Sequence, residues 1–120
     1  MKIIINEKQF KEIAFILAKI GCQIEGKKIA HHKSPSTDDS HIWKEFWQER
    51  MPTSKFPSST DTCPSCLSCG NEFIGGHLII EGKTYIVPVC ENCNNTYKGE
   101  KAEQHFFYVN ELDMVAAPED

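Results

Sequence analysis

Polar and apolar residues at the start of the chain alternate with a helical period. Between Asn6 and Ile20, Phe10, Ile13, Ala14, Leu17 and Ile20 recur every three or four positions, the spacing that lines one side of an α-helix. Asn6 is suited to cap this helix, and Gln9, three residues on, completes a capping-box pattern. Gly21 supplies the terminator. Phe15 and Ile16 widen the apolar face, which predicts a well-buried helix over 6–20. A second helical period runs to Arg50, with Ile42, Trp43, Phe46, Trp47 and Arg50 on one side. Ser36 or Thr37 is placed to cap it, Asp38 and Asp39 suit the dipole of its first turn, and Pro52 stops it. Its aromatic face is expected to pack on the first helix and on the cysteine-rich part; the same face is a candidate partner surface.

The pattern then changes. Residues 51–62 are rich in Ser, Thr and Pro and read as a linker or loop. Beyond them, His77 to Val87 reads as a β-hairpin turning at Glu81-Gly82, with Pro88 ending its second strand. A helix is expected from Cys90 to about Gly99, and a strand over His105 to Asn110. The string Ile24-Glu25-Gly26-Lys27 returns as Ile80-Glu81-Gly82-Lys83, two tight turns rather than a repeat. The first is expected to form a short hairpin, followed by a polar loop from His31 to Ser36. The chain thus divides into a helical portion (1–50), a linker or loop (51–62) and a cysteine-bearing portion (63–120). Each piece is too small to build a generous core alone.

Composition narrows the classes. The 120 residues are 40% hydrophobic and 25% charged, ordinary values for a globular domain. No run approaches the roughly 20 apolar residues of a membrane span, so no membrane partner is expected. The net charge of −4 divides into +2 over residues 1–50 and −6 over 51–120. An acidic half of that kind disfavours a phosphate backbone, so nucleic acid is a poor partner. The start, Met1-Lys2-Ile3-Ile4-Ile5-Asn6-Glu7, lacks the apolar stretch of about 7–15 residues found in a secretory signal. A cytoplasmic protein with reduced thiols is expected.

Reduced thiols give the cysteines their meaning. Five of the six lie between Cys63 and Cys93, arranged as Cys63-Pro64-Ser65-Cys66-Leu67-Ser68-Cys69-Gly70 and Cys90-Glu91-Asn92-Cys93. Two Cys-x-x-Cys pairs some twenty residues apart match a structural Zn²⁺ site. Two intervening residues let a tight turn, or the first turn of a helix, aim both sulfurs at one ion about 2.3 Å away. Both Cys63/Cys66 and Cys66/Cys69 have the required gap. The favoured set is Cys66, Cys69, Cys90 and Cys93, because Gly70 follows Cys69 directly; Cys63 is the alternative ligand. Four thiolates leave no open position for catalysis. Cys22 reads as a packing thiol.

These segments resemble the HNH endonuclease family over about residues 63–99. The likeness lies in Gly76-His77-Leu78 between the pairs, in Tyr85-Ile86-Val87-Pro88-Val89-Cys90, and in Cys93-Asn94 leading to Lys98-Gly99. The resemblance implies a treble clef: a knuckle, a hairpin, and a helix whose first turn donates two ligands. It also implies His77 as general base and Asn94 as ligand of a catalytic Mg²⁺ or Mn²⁺. Two family features are absent: Gly76 stands where an Asp precedes the His, and Tyr85 stands where an Asn orients the base loop. The sequence therefore points to an α+β protein with two N-terminal helices and a zinc-stabilised treble clef. Its expected role is a catalytically degenerate binding module for a protein partner. A metal-dependent nuclease using His77 is the alternative, and a thiol redox switch on Cys63, Cys66 and Cys69 is the third reading.

Overall fold

The computed structural model describes residues 6–33 and 40–118. Helix α1 spans Glu7–Lys19 with Asn6 as its N-cap. The capping box is formed on both sides: Gln9 N–H donates to Asn6 Oδ1 at 2.9 Å, and Asn6 N–H donates to Gln9 Oε1 at 3.1 Å. Helix α2 spans Ser40–Arg50 and ends two residues before Pro52. Its expected caps, Ser36 or Thr37 with Asp38 and Asp39, lie outside the described residues.

Between the two helices the chain forms a strand where a hairpin and a polar loop were expected. Lys27 N–H bonds back to Ile24 O at 3.0 Å, and β1 then runs Lys27–His32. It has no hairpin partner of its own. Its first four residues pair with β4 (Phe107–Asn110), and His31 and His32 pair with Ile79 and Leu78 of β2 (Phe73–Ile80). Both partners lie far away in sequence, which is why the local polarity of His31-His32 misled. Ala30 and His32 point into the protein and are buried, the two-residue alternation of a strand.

Strands β2 and β3 (Lys83–Cys90) form the expected hairpin, in register from Phe73↔Cys90 to Ile80↔Lys83. Both turn residues, Glu81 (φ 52°) and Gly82 (φ 79°), are left-handed, as a two-residue hairpin turn of the primed type requires. Pro88 does not end β3, which continues to Cys90. Strand β5 (Val115–Ala116) pairs only with Tyr85 and Ile86. Among the described residues, β3 at Pro88 therefore has one neighbour, a setting that tolerates a missing N–H. Among the described residues, five antiparallel strands stand in the order β4-β1-β2-β3-β5, so the sheet draws on chain from both sides of segment 51–62. That segment is pinned: Phe56 is buried, with its ring edge-on to Trp47 at 5.6 Å.

The expected helix after Cys90 is two short ones. Helix α3 (Glu91–Thr96) ends at Tyr97, and α4 (Glu100–Gln104) starts after Gly99. His105 caps α4 rather than opening a strand. The core gathers Trp47, Leu78, Ile80, Ile86, Val87 and Phe107 with three of the cysteines. α2 lies against β2 and β3. It approaches so closely that a Cβ on Gly75 would stand 2.6 Å from the Trp43 carbonyl carbon. α1, expected to be well buried, instead leaves Phe10 60% and Ile20 71% exposed and sits nearest β4. Among the described residues, no helix is long and apolar enough to cross a membrane.

Candidate metal centre

The chain brings Cys63, Cys66, Cys90 and Cys93 together, with their sulfurs all within 4.8 Å of one another. Each sulfur owes its place to a local device. Cys63 N–H donates to Ser68 O at 3.0 Å and Leu67 N–H to Cys63 O at 2.7 Å. These bonds close a knuckle over residues 63–68, with Leu67 in the left-handed region (φ 55°). Cys90 ends β3 and caps α3, accepting the Cys93 N–H at 3.4 Å. Cys93 follows one turn on, buried. Cys90 N–H donates to Cys63 Sγ at 3.2 Å, tying knuckle to helix.

This arrangement corrects the expected ligand set. Cys63 belongs to the group, and Cys69 is exposed and outside it. Gly70 does not close the sulfur turn; its N–H donates to Ser59 O at 2.7 Å. The knuckle is complete at Ser68, so Cys69 falls past it.

The donor set suits one thiophilic ion. Four sulfurs placed tetrahedrally about 2.3 Å from a Zn²⁺ stand about 3.8 Å apart, and Cys66 Sγ and Cys90 Sγ are separated by 3.9 Å. Protons are unevenly held in the group. The Cys63 thiol is pushed down to about 5, first by a hydrogen bond from Cys93 and then by the amides of Cys90, Cys66 and Ser65. Cys93, on the donating side of that bond, is pushed up. Burial pushes Cys90 up to about 11. Cys63, which faces donors, thus gives up its proton more readily than Cys90 or Cys93. A bound ion displaces the remaining protons.

Around this group lie residues that the sequence did not single out. Ser65, inside the knuckle, is fully buried. His32 Nε2 lies 2.8 Å from Ser65 Oγ, and His105 Nε2 lies 2.6 Å from Ser65 O. The Tyr97 ring stacks on His105 at 4.0 Å and 5°. Burial, with His105 and His31 nearby, pushes the His32 ring down to about 3; burial also lowers His105. Both rings are neutral near pH 7. The signal for His32 was its two-residue alternation with Ala30; for His105 no local pattern existed.

The residues of the nuclease reading lie elsewhere. His77 is half-buried in β2, with Trp43 edge-on to its ring at 4.5 Å and 83°. Its carbonyl accepts from Lys33 N–H at 3.0 Å. Asn94 is half-buried on α3. Among the described residues, the four-cysteine group is the only cluster of three or more His, Cys, Asp or Glu donors placed to hold an ion. Trp47 is 1% exposed, and its Nε1–H donates to Asp113 O at 2.9 Å. Trp47 thus belongs to the core, with Trp43 and Phe46 packed against it. An apolar cleft of about 690 Å³ opens instead beneath α1. Phe10, Ile13 and Leu17 line one wall, and Pro64 and Leu67 of the knuckle, with Phe73, line another. In comparisons with family models, curated proteins and solved structures, none matches this chain.

Proposed function

We propose that this chain is a small cytoplasmic zinc-binding module of HNH-like treble-clef type. It would act by docking a protein partner rather than by cleaving nucleic acid. The observation that carries the metal half is the convergence of four sulfurs within 4.8 Å at the junction of knuckle, hairpin and helix. Knuckle 63–68, hairpin β2–β3 and the Cys90-capped α3 follow the order of a treble clef. Four thiolates are the donor set of a closed structural zinc site. The non-catalytic half is supported by Gly76 and Tyr85 in place of the family's Asp and Asn, and by Trp43 against the His77 ring.

The metal test is elemental analysis of protein purified under reducing conditions. About one zinc per chain is expected. Cys63→Ser should lose it and Cys69→Ser should keep it. Retention by Cys63→Ser with loss by Cys69→Ser overturns the ligand set, and wild-type protein without zinc overturns the site. Absence of metal-dependent nicking of DNA or RNA by wild type is expected; nicking that His77→Ala abolishes overturns the non-catalytic reading.

The docking half is supported by the apolar cleft, whose α1 wall is continuous with the exposed Phe10 and Ile13. A protein segment presenting apolar side chains fits it. Because Pro64 and Leu67 belong to the knuckle, metal loss should deform the cleft. An environment-sensitive apolar dye should bind zinc-loaded protein stoichiometrically and lose affinity in Leu17→Glu. No dye binding by the loaded wild type overturns the cleft as docking site.

A further inference from the structure

Cys66 belongs to two Cys-x-x-Cys pairs at once, one with Cys63 and one with Cys69. The four-sulfur group takes up the first pair and leaves Cys69 outside. We propose that Cys66 and Cys69 are an oxidisable dithiol: a hydroperoxide oxidises Cys69, and Cys66 leaves the metal group to join it in a disulfide. This inference rests on the metal reading above. It narrows the redox reading of the sequence from three cysteines to two.

Exposure orders the sulfurs. Cys63, Cys90 and Cys93 are exposed by 0%, 2% and 1%. Cys66 is half-buried and Cys69 is exposed. A small oxidant in water therefore meets Cys69 first, and Cys66 is the least buried of the four grouped cysteines. Position favours the same pair. Cys66 Sγ lies 3.9 Å from Ser68 O, the carbonyl oxygen of the peptide unit that contains the Cys69 nitrogen. The sulfur is thus already curled over the peptide that leads into Cys69. Its neighbours are held by amides: Cys63 Sγ accepts from Cys90 N–H at 3.2 Å, and Cys90 Sγ from Cys93 N–H at 3.4 Å. The Ser68 carbonyl that Cys66 Sγ faces has no proton to give.

The chemistry balances in two steps. With hydrogen peroxide, the Cys69 thiolate attacks one oxygen; an S–O bond forms, the O–O bond breaks, and the second oxygen leaves as hydroxide. Sulfur is oxidised by two electrons, the peroxide is reduced by two, and the product is a sulfenic acid. The Cys66 thiolate then attacks the Cys69 sulfur. Its bond to the ion breaks, the S–S bond forms, the S–O bond breaks, and hydroxide leaves again. Each hydroxide takes a proton and ends as water. Three cysteines then remain as ligands, and the closed four-sulfur set is broken. The new bridge spans Leu67 and Ser68, the residues whose N–H and carbonyl close the knuckle onto Cys63. Leu67 also lines the cleft beneath α1, so oxidation reaches the docking wall as well as the metal.

The experiment exposes the zinc-loaded full chain to hydrogen peroxide beside a chromophoric zinc chelator. Bridges are mapped by fragmenting the tryptic peptide Phe56–Lys83 in a mass spectrometer. Release of about one zinc per chain is expected, with a Cys66–Cys69 bridge and recovery of zinc binding after thiol reduction. Cys69→Ser is expected to bind zinc as wild type does and to keep it under the same exposure. Cys22→Ser, which removes the other exposed thiol, is expected to release zinc as wild type does. Equal release from Cys69→Ser overturns the proposal. So does a Cys63–Cys66 or Cys90–Cys93 bridge in oxidised wild type, a result that depends on no variant's folding. A loaded wild type that keeps its zinc under peroxide overturns this inference alone; a wild type that takes up no zinc removes the metal reading with it.

Discussion

Helices α1 and α2 have similar lengths and comparable apolar stripes, yet they meet the sheet in opposite ways. α2 settles into the slot left by Gly75 and buries Trp47 to 1% exposure. α1 buries Ala18 and leans Phe15 on His105, with ring centroids 5.0 Å apart. Its Phe10, Ile13, Ile16 and Ile20 remain exposed. The cleaner stripe belongs to the less buried helix. Periodicity tells which face of a helix is apolar; the surface opposite decides whether that face is covered.

The largest effect that would break this contrast is removal of the proposed metal. Cys90→Ser, or a strong chelator, should unfold the β2–β3 side and carry α2 with it, read as loss of near-ultraviolet signal from Trp43 and Trp47. Retained tertiary signal would show that α2 packing does not depend on the knuckle. Next comes the slot itself. Trp47→Ala should cost about 3–5 kcal/mol, the usual range for a buried large aromatic. Gly75→Ala should also destabilise markedly, because its new methyl would meet α2 backbone at 2.6 Å. A denaturant midpoint unchanged by Gly75→Ala would refute the slot.

Acid should act through His32. Its ring is held to about 3 by burial and by His105 and His31, against 6.5 when free. Between those values the unfolded chain binds a proton that the folded chain does not, so stability falls as pH falls through that window. Comparing wild type with His32→Gln across pH 6.5 to 4 isolates this slope from thiol protonation. Equal slopes would contradict a buried neutral ring. The smallest effect belongs to α1: Ile16→Ala and Ile20→Lys should each change stability by no more than about 0.5 kcal/mol. A larger loss would mean that the α1 stripe is covered in solution.

The elements legible in the sequence are those whose determinants are neighbours. Asn6 and Gln9 fix the start of α1, Pro52 closes off α2, and Glu81-Gly82 makes the hairpin turn. The four-cysteine group was legible as a class because each Cys-x-x-Cys is local. Which pair the knuckle uses was not, since Cys63/Cys66 and Cys66/Cys69 have identical spacing. The choice is made by the Gly70–Ser59 bond and by the left-handed turn at Leu67. Strand β1 was missed for the same reason at larger scale: its hydrogen-bond partners are Phe107–Asn110 and Leu78–Ile79. The Gly76-His77-Leu78 string that supported a family resemblance has a local setting too: Gly75 just before it admits α2, and His77 meets Trp43.

The strand order β4-β1-β2-β3-β5 has a temporal side. A ribosome releases β1 some forty residues before β2 and about seventy-five before β4, and domains generally complete as units during or after synthesis. His32 has no serine to meet until residue 65 has emerged, and the Lys27–Ala30 edge of β1 stays unpaired until β4 follows. The hairpin and its cysteines can assemble first as a nascent unit, but the sheet closes only when β4 has emerged. Late closure of such long-range pairing makes folding slow, and makes the arrival of β4 the step that completes the pairing of β1.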